Sequence, residues 1–503
     1  MFPQKASSDF RLFNTLTNRV EPLDLIEPGK LRMYACGPTV YSYAHIGNFR
    51  SFLTSDLIVR TAQAIGLKVN YVTNITDVGH LTDDDVADSQ GEDRMARALR
   101  SKEGESFGNV WDLARHYANV LIADWDRLNL EEPTLRPRAT EHIRQQILAV
   151  QSLISAGHAY ETTQGVYFRV ASFPDYGKLS GNRDAAELTE LSRELVVDSA
   201  KEDPRDFALW KKDDKHLMQW FSPWGWGFPG WHIECSVMAN EYLGEEIDLH
   251  AGGEDLIFPH HECEIAQAES LTGKQFARHW VHTRFLQVEG EKMSKSKGNF
   301  LTVQGLIESK EDGGKGVDPM ALRLTLISGH YRKPYNFTMD TLRANTRHVQ
   351  RLREIRDLLD NVSETEATDK TVEPLVLDDL SARMLDAMLD DLNTPEAIAA
   401  VLEGVKRVMA KRDTLGSDDV ETAKDWLGHV ESLLGIIGRP IAPDPADDAS
   451  LAAAVETLLS ERAVARASRD WARADQIRDE LGAMGVEVMD TAEGVTWRRK
   501  IDS

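Results

Sequence analysis

Short apolar runs alternate with longer stretches of helical period along the first part of the chain. Leu31 to Ala35 is a brief apolar run closed by the turn signal Cys36-Gly37-Pro38. From Ile46 to Ile65, the residues Phe49, Leu53, Leu57 and Ile65 recur near the helical period until Gly66, which predicts a helix. Leu67 to Thr73 then alternates as a strand does. Strand, helix and strand in that order predict an α/β fold with a parallel sheet, whose ligands lie at the carboxyl ends of its strands. The pattern returns later in the chain. Ile247 to His250 reads as a strand, Gly252-Gly253 as a turn and Leu256 to Leu271 as an amphipathic helix. Trp280 to Val288 predicts a further strand that runs into the polar loop Glu289 to Asn299.

The stretch between these units, about Val110 to Gly225, mixes helical and β-like signals and is expected to be an insertion. After Asn336 the texture is helical: Leu342, Val349, Leu352, Ile355 and Leu358, then Leu375 to Met409. Ser363 to Glu373 and Gly438 to Ser450 read as linkers, the second carrying Pro440, Pro443 and Pro445. Leu451 to Ser503 forms a last small unit.

Composition narrows what such a chain can do. Its 503 residues suggest about three domains, and 42% hydrophobic with 28% charged residues is a globular balance. Lys plus Arg number 58 against 82 Asp plus Glu, a net charge of −24 that excludes a protein coating nucleic acid through bulk charge. A nucleic-acid partner must be met by local basic patches. Three cysteines make no disulfide framework and suit a reducing cytoplasm. Met1 to Arg19 lacks the apolar core of a signal peptide, and no apolar run is long enough to span a bilayer. A soluble cytoplasmic protein is expected, without a membrane partner.

Two segments carry nucleotide chemistry. In His45-Ile46-Gly47-Asn48 a turn enters a helix, whose free backbone N–H groups favour phosphate. Gly47 lets an adenosine moiety approach, and His45 and Asn48 can donate to phosphate oxygens. Helix capping is the plainer reading of that segment. Lys292-Met293-Ser294-Lys295-Ser296 puts two ammonium groups on a loop, suited to the charge that builds on a departing pyrophosphate. Its plainer reading is a solvated basic loop, but the two segments together, each following a strand, favour nucleotide chemistry. Cys36, Cys235, His260 and Glu264 are all competent zinc ligands, and His260 and Glu264 share one face of a helix at their spacing of four. Spacing alone does not bring Cys36 to Cys235, and a cysteine at a Gly-Pro turn is usually a small buried hydrophobe.

Several longer stretches match a known family. They are Met33 to Tyr41, Asn74-Ile75-Thr76-Asp77, Pro137 to Ile143, Gly230 to Ser236, Phe258-Pro259-His260-His261-Glu262 and the Lys292 to Ser296 loop. Through them the chain resembles the class I aminoacyl-tRNA synthetases, and within these the cysteinyl-tRNA synthetases. The resemblance implies a Rossmann-type parallel-sheet catalytic domain at 1–337, with an inserted domain at about 110–225 and the signature loop at 292–296. It further implies an α-helical bundle at 338–437 and a small anticodon-recognition unit at 451–503. The implied reaction is ligation of L-cysteine to cysteine tRNA through a cysteinyl-adenylate, using ATP with Mg²⁺ and releasing AMP and pyrophosphate.

By the same resemblance, Cys36, Cys235, His260 and Glu264 hold one Zn²⁺ per chain, and Cys36, Thr76 and Trp231 surround the amino acid. His45, Asn48, Lys292 and Lys295 act on the phosphates, while Gly47, Gly253, Asp255 and Lys295 contact the nucleotide. A monomer is expected. A small-molecule ligase that activates cysteine but transfers it to an aminosugar is the nearest rival, and the long C-terminal region speaks against it.

Two features depart from the family pattern. Cys263 stands where another polar residue is usual and is expected to be a non-ligand, and Gly79 to Asp93 is longer and more acidic than usual. That acidic stretch is expected to face solvent or to pair with Arg94, Arg97 or Arg100. Arg343, Arg347, Arg351 and Arg353 form one basic row, and Arg462, Arg466, Arg469 and Arg473 another. With Trp497, Arg498, Arg499 and Lys500 they are the candidate RNA contacts, and for the last two groups, where Asp and Glu interleave, solvated ion pairs are the alternative.

Overall fold

The computed structural model describes residues 2, 5–79, 93–181, 201–294, 297–309, 313–361, 374–438, 445–468, 470–483, 486–491 and 494–499. By its internal contacts the chain divides into one unit spanning Met1–Ile437 and a second spanning Gly438–Ser503.

The first unit opens with the hairpin β1 (Arg11–Asn14) and β2 (Arg19–Pro22). Its central sheet comes from the two predicted strand–helix–strand units. In the first, β3 (Lys30–Ala35) leads through α1 (Ile46–Ala64) to β4 (Lys68–Thr73). After β4 come the short α2 (Arg94–Leu99), α3 (Val110–Arg127) and α4 (Ile143–Ser155). A five-stranded antiparallel sheet follows, made of β5 (Ala159–Glu161), β6 (Gly165–Phe168), β7 (Phe207–Lys212), β8 (Trp220–Ser222) and β9 (Gly225–Pro229), in the order β5-β6-β7-β9-β8. The chain then returns through α5 (Trp231–Leu243) to the second unit: β10 (Ile247–Gly253), α6 (Glu262–Thr272) and β11 (Ala277–Thr283).

The central sheet has the order β11-β10-β3-β4, and all three pairings are parallel. One unit runs outward from β3 and the other from β10. A crevice therefore opens where the strand order reverses, at the carboxyl ends of β3 and β10. Cys36 follows β3, and Gly252-Gly253 ends β10.

Two expectations differ from the structure. The helix expected over Leu256 to Leu271 becomes regular only at Glu262, because Phe258 is extended (φ −140°, ψ 134°) as a residue before proline prefers. Nor is that helix amphipathic, since Glu262 through Ala268 are all buried. The strand expected over Trp280 to Val288 is two strands in two sheets. Its second part, β12 (Leu286–Val288), pairs with β13 (Glu291–Lys292) and β14 (Tyr335–Phe337) instead of continuing β11. The stretch 110–225 contributes to two cores. In α3, Leu113, Tyr117, Leu121 and Trp125 join the core of the central sheet, whereas the separate core behind the antiparallel sheet starts at Ile143.

After β13 lie α7 (Val303–Ile307) and α8 (Pro319–Ile327). Past β14 the chain is helical: α9 (Met339–Asn361), α10 (Asp378–Leu389), α11 (Thr394–Lys411) and α12 (Ser417–Leu434). These helices continue the core of the central sheet, with Leu352, Ile355, Met384, Val401 and Leu434 in one cluster with Leu53 and Leu57 of α1. A buried charge network joins them as well. Asp56 on α1 receives Arg60 Nε at 3.0 Å and Arg323 of α8, and all three residues are at most 5% exposed. Arg323 also donates to the carbonyls of Leu434 and Leu128 at 2.7 and 2.9 Å. Burial disfavours the Asp56 carboxylate, but the two guanidiniums outweigh it and hold the group below its ordinary range.

The second unit contains α13 (Pro445–Ala467), α14 (Trp471–Ala483) and the antiparallel hairpin β15 (Val486–Thr491) with β16 (Gly494–Arg499). Val455, Ile477 and Leu481 form its small core. No helix among the described residues is long and apolar enough to cross a membrane.

The network at Asp56 gives a stability prediction. Asp56→Leu leaves two buried guanidiniums without their carboxylate and should cost about 3–5 kcal/mol in urea unfolding. A cost under about 1 kcal/mol would show that the network does not hold the helices to the sheet.

Candidate metal centre and nucleotide site

The crevice between β3 and β10 gathers the predicted ligand set. Cys36 comes from the end of β3, Cys235 from the second turn of α5, and His260 and Glu264 from the segment entering α6. All four are buried, and their donor atoms lie within 4.8 Å of one another. The Cys36 thiol is 3.6 Å from Cys235 Sγ and 3.2 Å from Glu264 Oε1, and His260 Nε2 is 2.9 Å from the same oxygen. Two sulfurs bound to one tetrahedral zinc at about 2.3 Å stand about 3.8 Å apart, so the thiol pair has the spacing such a metal needs. A second set shares two members: Cys36, His250, His261 and Glu264 also lie within 4.8 Å. The thiol pair distinguishes the first set, because zinc favours sulfur donors.

Electrostatics prepare these atoms for a cation. Burial pushes the Cys36 thiol well above its ordinary range, and its hydrogen bond to Cys235 adds to this. Burial pushes Cys235 up too, but that hydrogen bond and the nearby His260 bring it down to about 6. Glu264 is held well below the ordinary carboxylate range. Burial opposes this, and the charges of His250 and His260 overcome it. Two of the four donors are thus favoured in anionic form.

A surrounding layer orients the donors, and sequence reasoning gave it no role. His232 Nδ1 meets His260 Nδ1 at 2.9 Å, which fixes the ring whose Nε2 faces Glu264. His250 Nε2 lies 2.9 Å from Glu264 Oε2. His261 Nε2 is 3.4 Å from Cys36 Sγ, and its Nδ1 meets His282 Nε2 at 2.8 Å. Asn74 Oδ1 accepts from Gly37 N at 2.8 Å and lies 3.7 Å from Cys235 Sγ, and its amide nitrogen donates to Thr76 Oγ1 at 3.0 Å. His232, His261 and Asn74 all stood inside the matched stretches, so a signal existed. His250, in the interior of β10, and His282, near the end of β11, had none.

The remaining amino-acid-site candidates are close by. Trp231 begins α5 and stacks on His260, with ring centroids 4.3 Å apart. Thr76 is buried and bridges to Thr39. Cys263 lies apart from both donor sets, against Tyr176 in the second core.

The nucleotide candidates sit on neighbouring elements. His45 caps α1: its Nδ1 accepts from Asn48 N at 3.1 Å, and Asn48 Oδ1 accepts from His45 N at 3.1 Å. A neutral His45 therefore carries its proton on Nε2, and Asn48 keeps its amide nitrogen as donor. Capping and phosphate binding are compatible here, because each side chain uses only one end for the cap. A side chain at Gly47 would begin 3.0 Å from the His45 ring, a tight approach, and 3.5 Å from Met293 of the basic loop, an ordinary contact. Ile46 N donates to Leu301 O at 3.0 Å, which brings the chain after the basic loop back to the start of α1. Lys292 is exposed in β13, while Lys295 and Ser296 lie outside the described residues. At the end of β10, a Cβ on Gly253 would sit 2.3 Å from the Asp255 carboxylate, so glycine admits Asp255 to this turn.

One buried arginine ties these pieces together. Arg50, on the second turn of α1, donates to the carbonyls of Arg284, His330 and Lys333, the last two at 3.1 Å. Arg284 and Phe285 in turn donate to Glu254, beside Asp255. These bonds draw the chain out of β11 and explain why the expected long strand breaks here.

The basic rows are partly consumed inside the fold. Arg353 pairs with Asp318 and donates to Ile437 O at 3.1 Å, whereas Arg347 and Arg351 are exposed. In the second unit Arg462 is 8% exposed and Arg473 pairs with Glu461 and Glu480 at 2.9 and 3.0 Å. Arg469 lies outside the described residues, and so does the acidic stretch 80–92. Asp93 pairs with His216 at 2.7 Å, not with an arginine.

With this geometry in place, comparison with known proteins is decisive. Residues 22–347 match the family described as tRNA synthetases class I (C) catalytic domain. The protein of that function from Salinibacter ruber, a cysteine–tRNA ligase, is 54% identical over 98% of this chain and 99% of its own length. The chain belongs to the cysteine–tRNA ligase family. A second member, from Chlorobaculum tepidum, is 41% identical over 98% of this chain and 99% of its own. Residues 383–438 match the DALR domain, and 448–498 match the cysteinyl-tRNA ligase anticodon binding domain. The fold is that of the class I synthetases. The structure of Mycobacterium tuberculosis methionyl-tRNA synthetase with methionyl-adenylate superposes with a TM-score of 0.55 at 15% identity, over 81% of this chain and 92% of that one.

The role of Arg50 as a tie is testable. Arg50→Met keeps an apolar side chain of similar length and removes the donors to three carbonyls. Trypsin should then cleave between Lys292 and Lys297 several times faster, because the strand before that loop loses its hold on α1. An unchanged cleavage rate would contradict the tie.

Proposed function

We propose that this member of the cysteine–tRNA ligase family charges its tRNA through a cysteinyl-adenylate, with cysteine selected at a zinc centre of Cys36, Cys235, His260 and Glu264. The observation that carries the reading is the convergence of two thiols, an imidazole and a carboxylate in the same crevice as the α1 N-terminus. Zinc held by these four residues would bind the substrate sulfur as a thiolate, a bond that the hydroxyl of serine cannot match. Thr76 and Trp231 close around the amino acid.

Cysteine's carboxylate is already ionised and needs no base. It attacks the α-phosphorus of ATP, a carboxyl–phosphate bond forms, and pyrophosphate leaves with the electron pair of the broken bond. His45 Nε2–H, the Asn48 amide and the N-terminal dipole of α1 donate to phosphate oxygens whose charge grows in that step. Lys292 and Lys295 neutralise the departing pyrophosphate, and Gly253 and Asp255 line the adenosine pocket. A terminal adenosine hydroxyl of the tRNA then attacks the acyl carbon, forming the ester and releasing AMP. Positioning and fixed charges do the work. The unit after Ile437 reads the anticodon.

Four measurements test this. Elemental analysis should find about one zinc per chain, as one four-ligand site requires. Cys235→Ala should lose that zinc and raise the KM for cysteine far more than the KM for ATP, and a zinc-free chain that still activates cysteine would end the proposal. Lys295→Ala should slow adenylate formation by roughly two to three powers of ten with little change in cysteine affinity. An unchanged rate in rapid-quench experiments removes that residue from the mechanism. Ending the chain at Ile437 should leave cysteine-dependent ATP–pyrophosphate exchange nearly intact and weaken tRNA charging strongly. Equal charging by the shortened chain would show that the second unit does not read the anticodon.

A further inference from the structure

Past β4 the chain leaves the central sheet, yet the residues that follow are held on both sides. Toward one neighbour, Ile75 N donates to Pro137 O at 2.9 Å and Ala139 N donates to Ile75 O at 3.1 Å. Toward the other, Thr76 N donates to Pro38 O at 3.2 Å and Val40 N donates to Thr76 O at 3.0 Å. Thr76 therefore stands between the turn after Cys36 and the segment that enters α4.

Two side chains bracket it. Asn74 gives its oxygen to Gly37 N, which leaves its amide nitrogen to donate to Thr76 Oγ1. That side is close-packed, since a Cβ on Gly37 would stand 1.6 Å from the Asn74 carbonyl oxygen. On the other side Asp77 is 4% exposed, with Oδ1 accepting from Thr140 N at 3.0 Å and Oδ2 from Thr140 Oγ1 at 2.8 Å. Arg138 adds its charge at 3.7 Å from Oδ2. A buried carboxylate is tolerated where such partners replace water, so these bonds fix where Asp77 stands.

Thr140 is itself fastened. His142 is buried, and its ring nitrogens meet Arg138 O and Tyr242 Oη, each at 2.7 Å. Gln146 of α4 donates to Ala139 O at 3.1 Å. Tyr242 lies in the last turn of α5, the helix that begins at Trp231 and carries Cys235. Residues 138–142 thus form a brace between Asp77 and the helix that supplies Trp231 and Cys235. Ile75 and Val78 already bury the apolar side of the segment, so the contact to Thr140 adds placement, not burial.

We propose that Asp77 is a positioning residue for cysteine, which through Thr140 holds Thr76 in a fixed place relative to Cys36 and Trp231. The proposal rests on the reading above in which Thr76 and Trp231 close around the amino acid. Both oxygens of Asp77 are engaged by Thr140, so it acts on the substrate through Thr76. A contact group displaced by about 1 Å loses much of its effect on a bound substrate. Loosening the brace therefore weakens cysteine binding and leaves the nucleotide side, built on α1 and the end of β10, as it was.

The test measures cysteine-dependent ATP–pyrophosphate exchange by the full chain. Asp77→Ala should raise the KM for cysteine about tenfold and leave the KM for ATP within about twofold of the parent. Zinc should stay at about one per chain, since no metal donor is touched. Asp77→Asn should return the cysteine KM to within about twofold, because its amide can accept from Thr140 N and donate to Thr140 Oγ1. Thr140→Val removes only the hydroxyl and reaches the contact from its other partner. It should raise the cysteine KM about threefold, and it decides the matter if Asp77→Ala does not fold. In a Thr76→Ala chain, which itself should bind cysteine weakly, Asp77→Ala should add less than about twofold. A parental cysteine KM in Asp77→Ala or in Thr140→Val overturns the proposal, and so does an equal rise for ATP. An asparagine variant no better than the alanine one overturns it too, as does an undiminished effect in the Thr76→Ala chain. Thr76→Ala at the parental cysteine KM strikes instead the reading that places Thr76 at the amino acid, and the role of Asp77 falls with it.

Discussion

A carboxylate with no solvent exposure, Glu264, governs the architecture of the crevice. Such a group is tolerated only where opposite charge and hydrogen bonds replace water on both oxygens. Oε1 meets His260 and the Cys36 thiol, and Oε2 meets His250. Those partners come from the segment before α6, the end of β3 and the interior of β10. Satisfying one carboxylate therefore fixes β3 against β10 and sets the start of α6. The place where strand order reverses is also the place where the donor set closes. His232 and His282 extend the same logic outward, each holding a ring that faces the centre.

Positive charge is scarce in this chain, and much of it is used internally. Arg323 joins Asp56 of α1 to the carbonyl of Leu434, Arg60 of α1 reaches the carbonyl of Glu431, Arg50 fastens α1 to the strand before the basic loop, and Arg353 reaches the carbonyl of Ile437. The helix whose N-terminus is proposed to meet phosphate is thus anchored at its second turn by Arg50 and farther along by Asp56 and Arg60. Rigid placement of that N-terminus is what an electrostatic mechanism requires, since donors aimed in advance need no reorganisation during the reaction.

The legible parts of the sequence were those with a local signature. The strand–helix–strand units showed in their periodicity, and the helical region after Asn336 in its repeating leucines. The resemblance named all four members of the donor set, and the structure brings them together. Less was visible where a feature depends on distant neighbours. His250 and His282 read as ordinary strand residues until the fold aims them at Glu264 and His261. Helix α3 carried helical periodicity but no mark of which core it joins. The break after Thr283 comes from hydrogen bonds to Arg50, Tyr331 and Glu254, none of them near in sequence. The late start of α6 did have a local cause, Pro259, which apolar periodicity outweighed. The arginine rows were legible as charge, whereas their use in internal ion pairs depends on Asp318, Glu461 and Glu480.

The central claim is that the metal centre itself recognises the substrate sulfur. X-ray absorption at the zinc edge on the full chain, with and without L-cysteine, tests it most directly. The account predicts two sulfur neighbours in the free protein, from Cys36 and Cys235, and a third when cysteine is added but not when serine is. A single sulfur in the free protein would assign the metal to Cys36, His250, His261 and Glu264 instead. A sulfur count unchanged by cysteine would contradict the claim.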